Sequence, residues 1–181
     1  MIDYSEMILI PPFSLEKEKK EVLLTKTLKE LTLFHYENCK EYGKILDSLA
    51  FNPQKIKSYY DIPYLPVRMF KEYSLKSIPT EQVSKTMTSS GTTGQQVSNI
   101  YLDRMTSTNQ TKVLTKIVSS YIGNKRMPMI ILDTSALLKN RAMFSARGAG
   151  ILGFSIFASD KMYALDEDMN LNLEELKAFL E

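Results

Sequence analysis

The sequence is poor in cysteine, and its only thiol belongs to Cys39 among 181 residues. A single cysteine excludes an intrachain disulfide and is typical of proteins kept in a reducing compartment. The N-terminus also lacks the layout of a secretory signal peptide, since Asp3 and Glu6 precede a short apolar run. No apolar run approaches the roughly 20 residues that a membrane-spanning helix needs. These absences predict a cytoplasmic protein without a membrane span.

The chain as a whole also has no large excess of positive or negative charge, since its net charge is only +2. That balance gives no reason to expect a nucleic-acid partner. Seven glycines and seven prolines are too few for a low-complexity chain, and 44% hydrophobic content with 24% charged content is ordinary for a globular protein. The length suffices for one domain with a real core.

The charge is nevertheless uneven along the chain. Residues 85–126 carry six basic side chains and one acidic side chain, Asp103, so this stretch is locally +5. A positive field favours a phosphate ligand. For Lys112 and Lys116, a solvated basic helix face is the better explanation.

A cluster of hydroxyl and glycine residues begins this basic stretch, with the sequence TSSGTTGQ from Thr88 to Gln95. Gly91 and Gly94 permit backbone angles that other residues resist. Such a turn can direct consecutive N–H groups and several hydroxyls at an anion, which predicts a nucleotide-phosphate site. The candidate phosphate-binding residues are Ser89, Ser90, Gly91, Thr92, Thr93, Gly94 and Gln95.

A Ser/Thr/Gly cluster between periodic segments is commonly a polar surface loop and nothing more. The P-loop of NTPases is excluded, because Gln96 stands where that motif needs its second glycine and no lysine follows.

Periodicity and turn residues predict an α/β fold. Residues 1–80 are interpreted as a helical N-terminal segment with a linker, and residues 81–181 as an α/β part of the same single, partial domain. Helices are predicted from about Leu15 to about Tyr42, over Val67–Glu72, from the cap Asp103 to about Tyr121 with Gly123 as its stop, over Arg141–Gly153, and after the cap Asn172. Strands are predicted at Val83–Thr88, Ser98–Leu102, Met129–Leu132, Phe154–Phe157 and Met162–Leu165, the third of them fully buried.

Details of the first long helix stay open in the sequence. Gly43 either ends it or lies in a short second helix that continues to Leu49. His35 falls on the apolar face and is interpreted as a packed core histidine, because no acid–base partner is identifiable. Cys39 is interpreted as a small buried hydrophobe and not as a nucleophile. The chain stops inside its last predicted helix, which suggests a truncated protein.

Four segments resemble one group of enzymes. TSSGTTGQ resembles the phosphate-binding loop of adenylate-forming enzymes, and His35 to Tyr42 resembles the helical H-x-x-N-x-x-x-Y segment of the phenylacetate–CoA ligase branch. Ile62 to Leu75 is similar to the linker that precedes the loop in acyl-protein synthetases, the adenylating subunits of the bacterial bioluminescence fatty-acid reductase. Met143 to Phe154 resembles that family again. The likeness covers nearly the whole chain in the right order, so the sequence is identified as a member of this family.

The resemblance implies the N-terminal part of an ATP-dependent acyl-activating ligase. Such an enzyme uses ATP and Mg²⁺ to convert a carboxylic acid, such as a fatty acid, into an acyl-adenylate. It then passes the acyl group to a thiol, with an acyl-acceptor or reductase protein as a partner. No catalytic residue and no protein metal ligand is predicted from this sequence.

Two departures from the family pattern matter. Many adenylating loops carry a lysine where Gln95 and Gln96 stand, so another cation, Arg104 or Lys85, would have to help. The adenine- and acyl-binding segments would lie beyond Glu181. The alternative is therefore a truncated, non-catalytic domain of the same fold that binds a nucleotide or a partner.

Overall fold

The computed structural model describes residues 3–89, 97–138 and 146–181. The described helices are α1 Ser5–Leu9, α2 Lys17–Asn38, α3 Lys40–Ser48, α4 Met69–Glu72, α5 Arg104–Ile122, α6 Ala146–Phe154 and α7 Leu173–Leu180. The described strands are β1 Lys85–Thr88, β2 Asn99–Leu102, β3 Met127–Thr134 and β4 Ala158–Leu165. This mixture of helices and small sheets confirms the predicted α/β class.

The described residues divide into two compact units. The first unit contains those up to residue 86 together with residues 97–113, and the second contains residues 87–89 and those from 114 onward. The proposed division of the chain at residue 80 stays a prediction.

The core of the first unit lies where α2 meets α3 and the short 3₁₀ turns that follow. Leu46, Cys39 and Ile56 are each at most 4% exposed there. The Lys29 ammonium donates to the carbonyls of Gln54 and Ile56 at 3.0 and 3.1 Å, which ties α2 to the chain after α3. Cys39 is therefore the buried hydrophobe that its sequence context predicts.

The prediction of one helix to Tyr42 is wrong. Helix α2 ends at Asn38, Cys39 is extended with φ −125° and ψ 102°, and α3 then runs through Gly43. A Cβ added at Gly43 would lie 3.2 Å from the backbone oxygen of Tyr36. Glycine thus lets α3 approach α2 closely and does not end a helix here. The alternative of a short second helix is confirmed.

Strands β1 and β2 form a two-stranded sheet. The backbone N–H of Ser84, just before β1, donates to the carbonyl of Leu102 at the end of β2, at 2.9 Å, so the strands run in opposite directions. Helix α5 follows with Asp103 as its cap, because the carboxylate accepts the N–H of Thr106 at 2.6 Å. Gly123 ends the helix with φ +79°. Both strands, the cap and the stop agree with the sequence predictions.

The second unit is built on a parallel pair, β3 with β4, joined through α6. Parallel neighbours need such a crossover. Ile131 lies opposite Tyr163 in the register and is buried, while Leu132 is 82% exposed. The prediction that β3 is fully buried is therefore wrong, because its residues alternate between a buried and an open face.

The end of the α6 crossover also differs from prediction. Phe154 closes α6 and Ser155–Phe157 is a 3₁₀ turn, so no strand forms at Phe154–Phe157. The Ser155 hydroxyl donates to the carbonyl of Ile151 at 2.7 Å, which continues the helical course until the buried Phe157. Strand β4 then begins at Ala158 and includes the predicted strand Met162–Leu165. Of the helix predicted over Arg141–Gly153, residues 141–145 lie outside the described part.

Helix α7 begins where predicted, but the prediction that the Asn172 side chain caps it is wrong. The Asn172 side chain makes no capping bond. Its amide donates instead to the carbonyl of Tyr163 at 3.4 Å, and its backbone N–H donates to that of Ala164 at 2.9 Å. These donor contacts hold the residue against β4, whereas a cap would need the side-chain oxygen of Asn172 to accept an N–H of the first turn. Among the described helices, none is both long and apolar enough to cross a membrane.

Candidate functional site

The predicted phosphate loop connects β1 to β2. Ser89 follows β1 directly and is exposed. The other predicted residues lie outside the described part of the chain: Ser90, Gly91, Thr92, Thr93, Gly94 and Gln95. The assignment of phosphate binding to these seven residues stays a prediction.

The cations proposed to support the loop occupy different elements. Lys85 is the first residue of β1, and Arg104 is the first residue of α5 with an exposed side chain. Lys112 is exposed on α5, as expected for a solvated helix face. The role of Lys85 or Arg104 as the missing positive charge stays a prediction.

A cleft with a volume of about 590 Å³ opens in the first unit. Side chains of α2, of the segment 70–82, of β2 and of the start of α5 line it. Most of these side chains are apolar. No local pattern in the sequence indicates this cleft, because its walls come from segments as far apart in the chain as Tyr4 and Thr106.

His35 lies in this cleft, with its Nδ1 atom 2.6 Å from the hydroxyl oxygen of Ser77. Its ring meets Phe34 and Tyr42 edge to face, with centroids 5.5 and 6.2 Å apart. Burial lowers the pKa of the imidazole below its ordinary value of 6.5, so His35 is neutral at pH 7. It packs against aromatic rings, but it is half-buried and lines the cleft instead of lying in the core as predicted, and it presents a neutral polar group there.

Among the described residues that line the cleft, Lys76 is the one with a cationic side chain. Its ammonium donates to the Thr80 hydroxyl at 2.7 Å and lies 5.6 Å from the centre of the Tyr101 ring. Such a cation–π contact is favourable, and within the residues that the structure describes no carboxylate forms an ion pair with this ammonium. The described walls of the cleft therefore combine apolar side chains with a neutral hydrogen-bonding pair, the Lys76 ammonium and the Asp103 carboxylate.

A charged pair that the sequence did not reveal lies in the second unit. The Arg147 Nε donates to Oδ2 of Asp133 at 3.0 Å, and its Nη2 contacts both carboxylate oxygens at 2.7 and 2.8 Å. Asp133 is only 7% exposed near the end of β3 and also accepts the N–H of Thr134. Burial raises the pKa of this carboxyl, but the hydrogen bonds from Arg147 and Thr134 outweigh it and lower the pKa. Asp133 is thus held as an anion.

Asp133 lies near the carboxyl end of a parallel strand. Ligands of open α/β sheets bind outside the carboxyl ends of parallel strands, which is where Asp133 lies. The only sequence signals were an acid just after an apolar run and an arginine at the start of an Ala/Gly-rich helix. Many acidic and arginine residues on protein surfaces occur in similar sequence positions, so these signals are too weak to identify the ion pair.

The fold and these sites define an α/β protein with a strand-bounded candidate phosphate loop. The family model of the acyl-protein synthetases, LuxE, matches residues 3–181. The chain therefore belongs to the acyl-protein synthetase family, as its sequence motifs predicted.

The chain is also similar to phenylacetate-coenzyme A ligase from Thermus thermophilus. The two are 31% identical over 88 residues, which are 45% of this chain and 20% of that ligase. The match thus spans about one fifth of the relative's length. This agrees with the predicted relation to adenylate-forming enzymes.

Proposed function

We propose that the protein is an ATP-dependent acyl-activating ligase, or contributes the phosphate-binding part of one. The observation that carries this proposal is the family match over residues 3–181, which includes the whole TSSGTTGQ loop. The exposed position of Ser89 at the end of β1 supports it, because a phosphate must reach the loop from solvent.

The proposed chemistry has two steps. A carboxylate is a poor acyl donor, so its oxygen attacks the α-phosphorus of ATP. The bond to the β,γ-phosphates breaks, which gives an acyl-adenylate and pyrophosphate. A thiolate then attacks the acyl carbon and AMP leaves. In this proposal the hydroxyls and N–H groups of residues 89–95 hold the phosphates and offset the charge that grows on the leaving group.

Mg²⁺ would come to the site with ATP. In the described part of the chain, no cluster of His, Cys, Asp and Glu side chains could hold a metal ion. Mg²⁺ bound mainly by substrate phosphates and water needs few protein ligands. With Gln95 and Gln96 in the loop, Arg104 or Lys85 would supply the remaining positive charge.

The acid, the thiol and the partner are finer parts of the proposal. A fatty acid is the acid that the family resemblance favours, and the acceptor is a thiol of coenzyme A or of a protein, with a reductase as a partner. The second candidate function is a nucleotide- or partner-binding domain without ligase activity. The region shared with phenylacetate-coenzyme A ligase is one fifth of that ligase's length, so this similarity by itself does not extend to the rest of that enzyme.

Exchange of labelled pyrophosphate into ATP separates the two candidates. The natural gene product should catalyse this exchange only when a carboxylic acid is present, since the first step is reversible and needs the acid. A panel of alkanoic and aromatic acids then identifies the substrate. ATP binding without exchange across the panel would favour the second candidate, and neither binding nor exchange would reject both.

A further inference from the structure

Ser77 and His35 bring a hydroxyl and an imidazole together in the cleft of the first unit. The Oγ atom of Ser77 lies 2.6 Å from Nδ1 of His35, and both residues are half-buried and line the cleft. A hydroxyl within about 2.6–3.2 Å of a base is the arrangement that activates a serine as a nucleophile. The two residues are 42 positions apart in the chain, so the fold and not a local turn creates the contact.

The protonation state of His35 suits a general base. Burial lowers the pKa of its imidazole below 6.5, so at pH 7 one ring nitrogen carries no proton. In the tautomer that is protonated on Nε2, Nδ1 accepts the hydrogen bond of the Ser77 hydroxyl. The rings of Phe34 and Tyr42 pack edge to face against the imidazole and hold its orientation.

The other groups of the cleft indicate which substrate fits. Its volume of about 590 Å³ falls within the range of roughly 300–1,000 Å³ that small-molecule sites occupy. Most of the lining side chains are apolar, while the Lys76 ammonium and the Asp103 carboxylate give its described walls one charge of each sign. Such walls suit an uncharged molecule with an apolar part. An ammonium in the cleft can also offset the negative charge that a carbonyl oxygen acquires when a nucleophile attacks.

We propose that Ser77 and His35 form a catalytic dyad that hydrolyses an uncharged carboxylic ester. The Ser77 oxygen attacks the carbonyl carbon while Nδ1 of His35 takes the hydroxyl proton. The bond from that carbon to the alcohol oxygen breaks, the alcohol leaves with the proton from His35, and the acyl group stays on Ser77. Water then attacks this acyl ester, with His35 again as the base, which releases the carboxylic acid and restores the serine. The reaction uses neither ATP nor Mg²⁺, so it goes beyond the proposed ligase function.

Hydrolysis of p-nitrophenyl butyrate by the natural gene product, without ATP or Mg²⁺, tests the dyad. Ser77→Ala should reduce the release of p-nitrophenol to the uncatalysed background. His35→Gln should lower the rate by roughly 10²-fold or more, because glutamine accepts a hydrogen bond but cannot take the proton. Ser74→Ala, which changes an exposed serine of the same segment, is the matched control and should act like the unmodified protein.

Covalent labelling identifies the nucleophile independently of turnover. Diisopropyl fluorophosphate should transfer its phosphoryl group to the Ser77 oxygen with loss of fluoride, and peptide mass spectrometry should locate the label there. Labelling should slow as the pH falls through the lowered pKa of His35, below 6.5, because the protonated imidazole cannot act as a base. A hydrogen bond with only a structural role would lower the melting temperature of Ser77→Ala and would leave Ser77 of the unmodified protein without label.

Several results would overturn the proposal. These are ester hydrolysis that survives Ser77→Ala, a label on another residue and not on Ser77, or labelling of Ser77 at an unchanged rate in His35→Gln. If the variants fail to fold, the position of the label in the unmodified protein still decides. Acid-dependent pyrophosphate exchange without label on Ser77 would remove the dyad and leave the ligase function standing, and label on Ser77 without exchange would do the reverse.

Discussion

Replacement of Arg147 by methionine tests the charged pair of the second unit. Asp133 would keep its N–H contact from Thr134 but lose the guanidinium that contacts both of its oxygens. Hydrogen bonds to charged groups contribute about 1.5–3 kcal/mol. The Arg147 side chain is 61% exposed while that of Asp133 is 10% exposed, so solvent screening favours the lower end of this range. We expect Arg147→Met to lower the free energy of unfolding by about 1.5–2 kcal/mol, and the melting temperature by about 3–8 °C.

Urea denaturation followed by circular dichroism measures this loss, and Arg68→Met is the matched control. Arg68, which precedes α4, forms an exposed pair with Glu72 at the end of that helix, and such a pair contributes at most about 0.5 kcal/mol. The lowered pKa of Asp133 adds a pH test. The contribution of the pair is complete above the ordinary carboxyl pKa of 3.8 and is lost as the pH falls through the lowered value, so the variant and the unmodified protein should converge in acid. An Arg147→Met protein as stable as Arg68→Met near neutral pH would refute this reasoning.

Three further predictions concern the glycines, the histidine and the cysteine. Gly123→Ala should destabilise the protein by about 1–2 kcal/mol because φ is +79° there. Gly150→Ala in α6, where an added Cβ meets no atom of the described residues, should stabilise it by about 0.5–1 kcal/mol, and thermal melting shows whether the signs differ. Burial lowers the pKa of His35, so the unfolded chain takes up the proton first and the free energy of unfolding should fall as the pH drops below about 6.5. His35→Gln should lack this part of the pH dependence in urea titrations, and an unchanged pH dependence would contradict the prediction. Cys39 is buried, so Cys39→Ser should leave acyl transfer nearly unchanged in an assay for labelled acyl-protein, and loss of the label in that variant alone would show that this thiol accepts the acyl group.

Local signals in the sequence accounted for much of the fold. The Asp103 cap and the Gly123 stop each depend on backbone groups within a few residues, and both formed as predicted. The break at Cys39 could not be predicted in the same way. It depends on how closely Gly43 approaches the Tyr36 carbonyl, which is a contact between two helices.

The candidate sites show the same difference between local signals and contacts over long sequence distances. The phosphate loop is a continuous segment, so composition and a family resemblance sufficed to propose it. The cleft depends on bringing His35 beside Ser77, 42 residues further along the chain. The pair of Asp133 and Arg147 likewise crosses a βα connection. Spacing in the sequence carries no information on such contacts, because the crossover and not the local backbone sets their distance.

The loop of residues 89–95 is proposed to hold phosphate during acyl activation. The most direct test is the rate of acid-dependent pyrophosphate exchange in the variant Thr92→Val/Thr93→Val of the natural gene product, with the melting temperature measured on the same preparation. Valine keeps the shape of threonine and removes a hydroxyl donor. This role predicts a rate lower by roughly 10²–10³ for each donor that meets phosphate in the transition state, with little change in melting temperature. Undiminished exchange, with or without a lower melting temperature, would contradict phosphate binding by the loop.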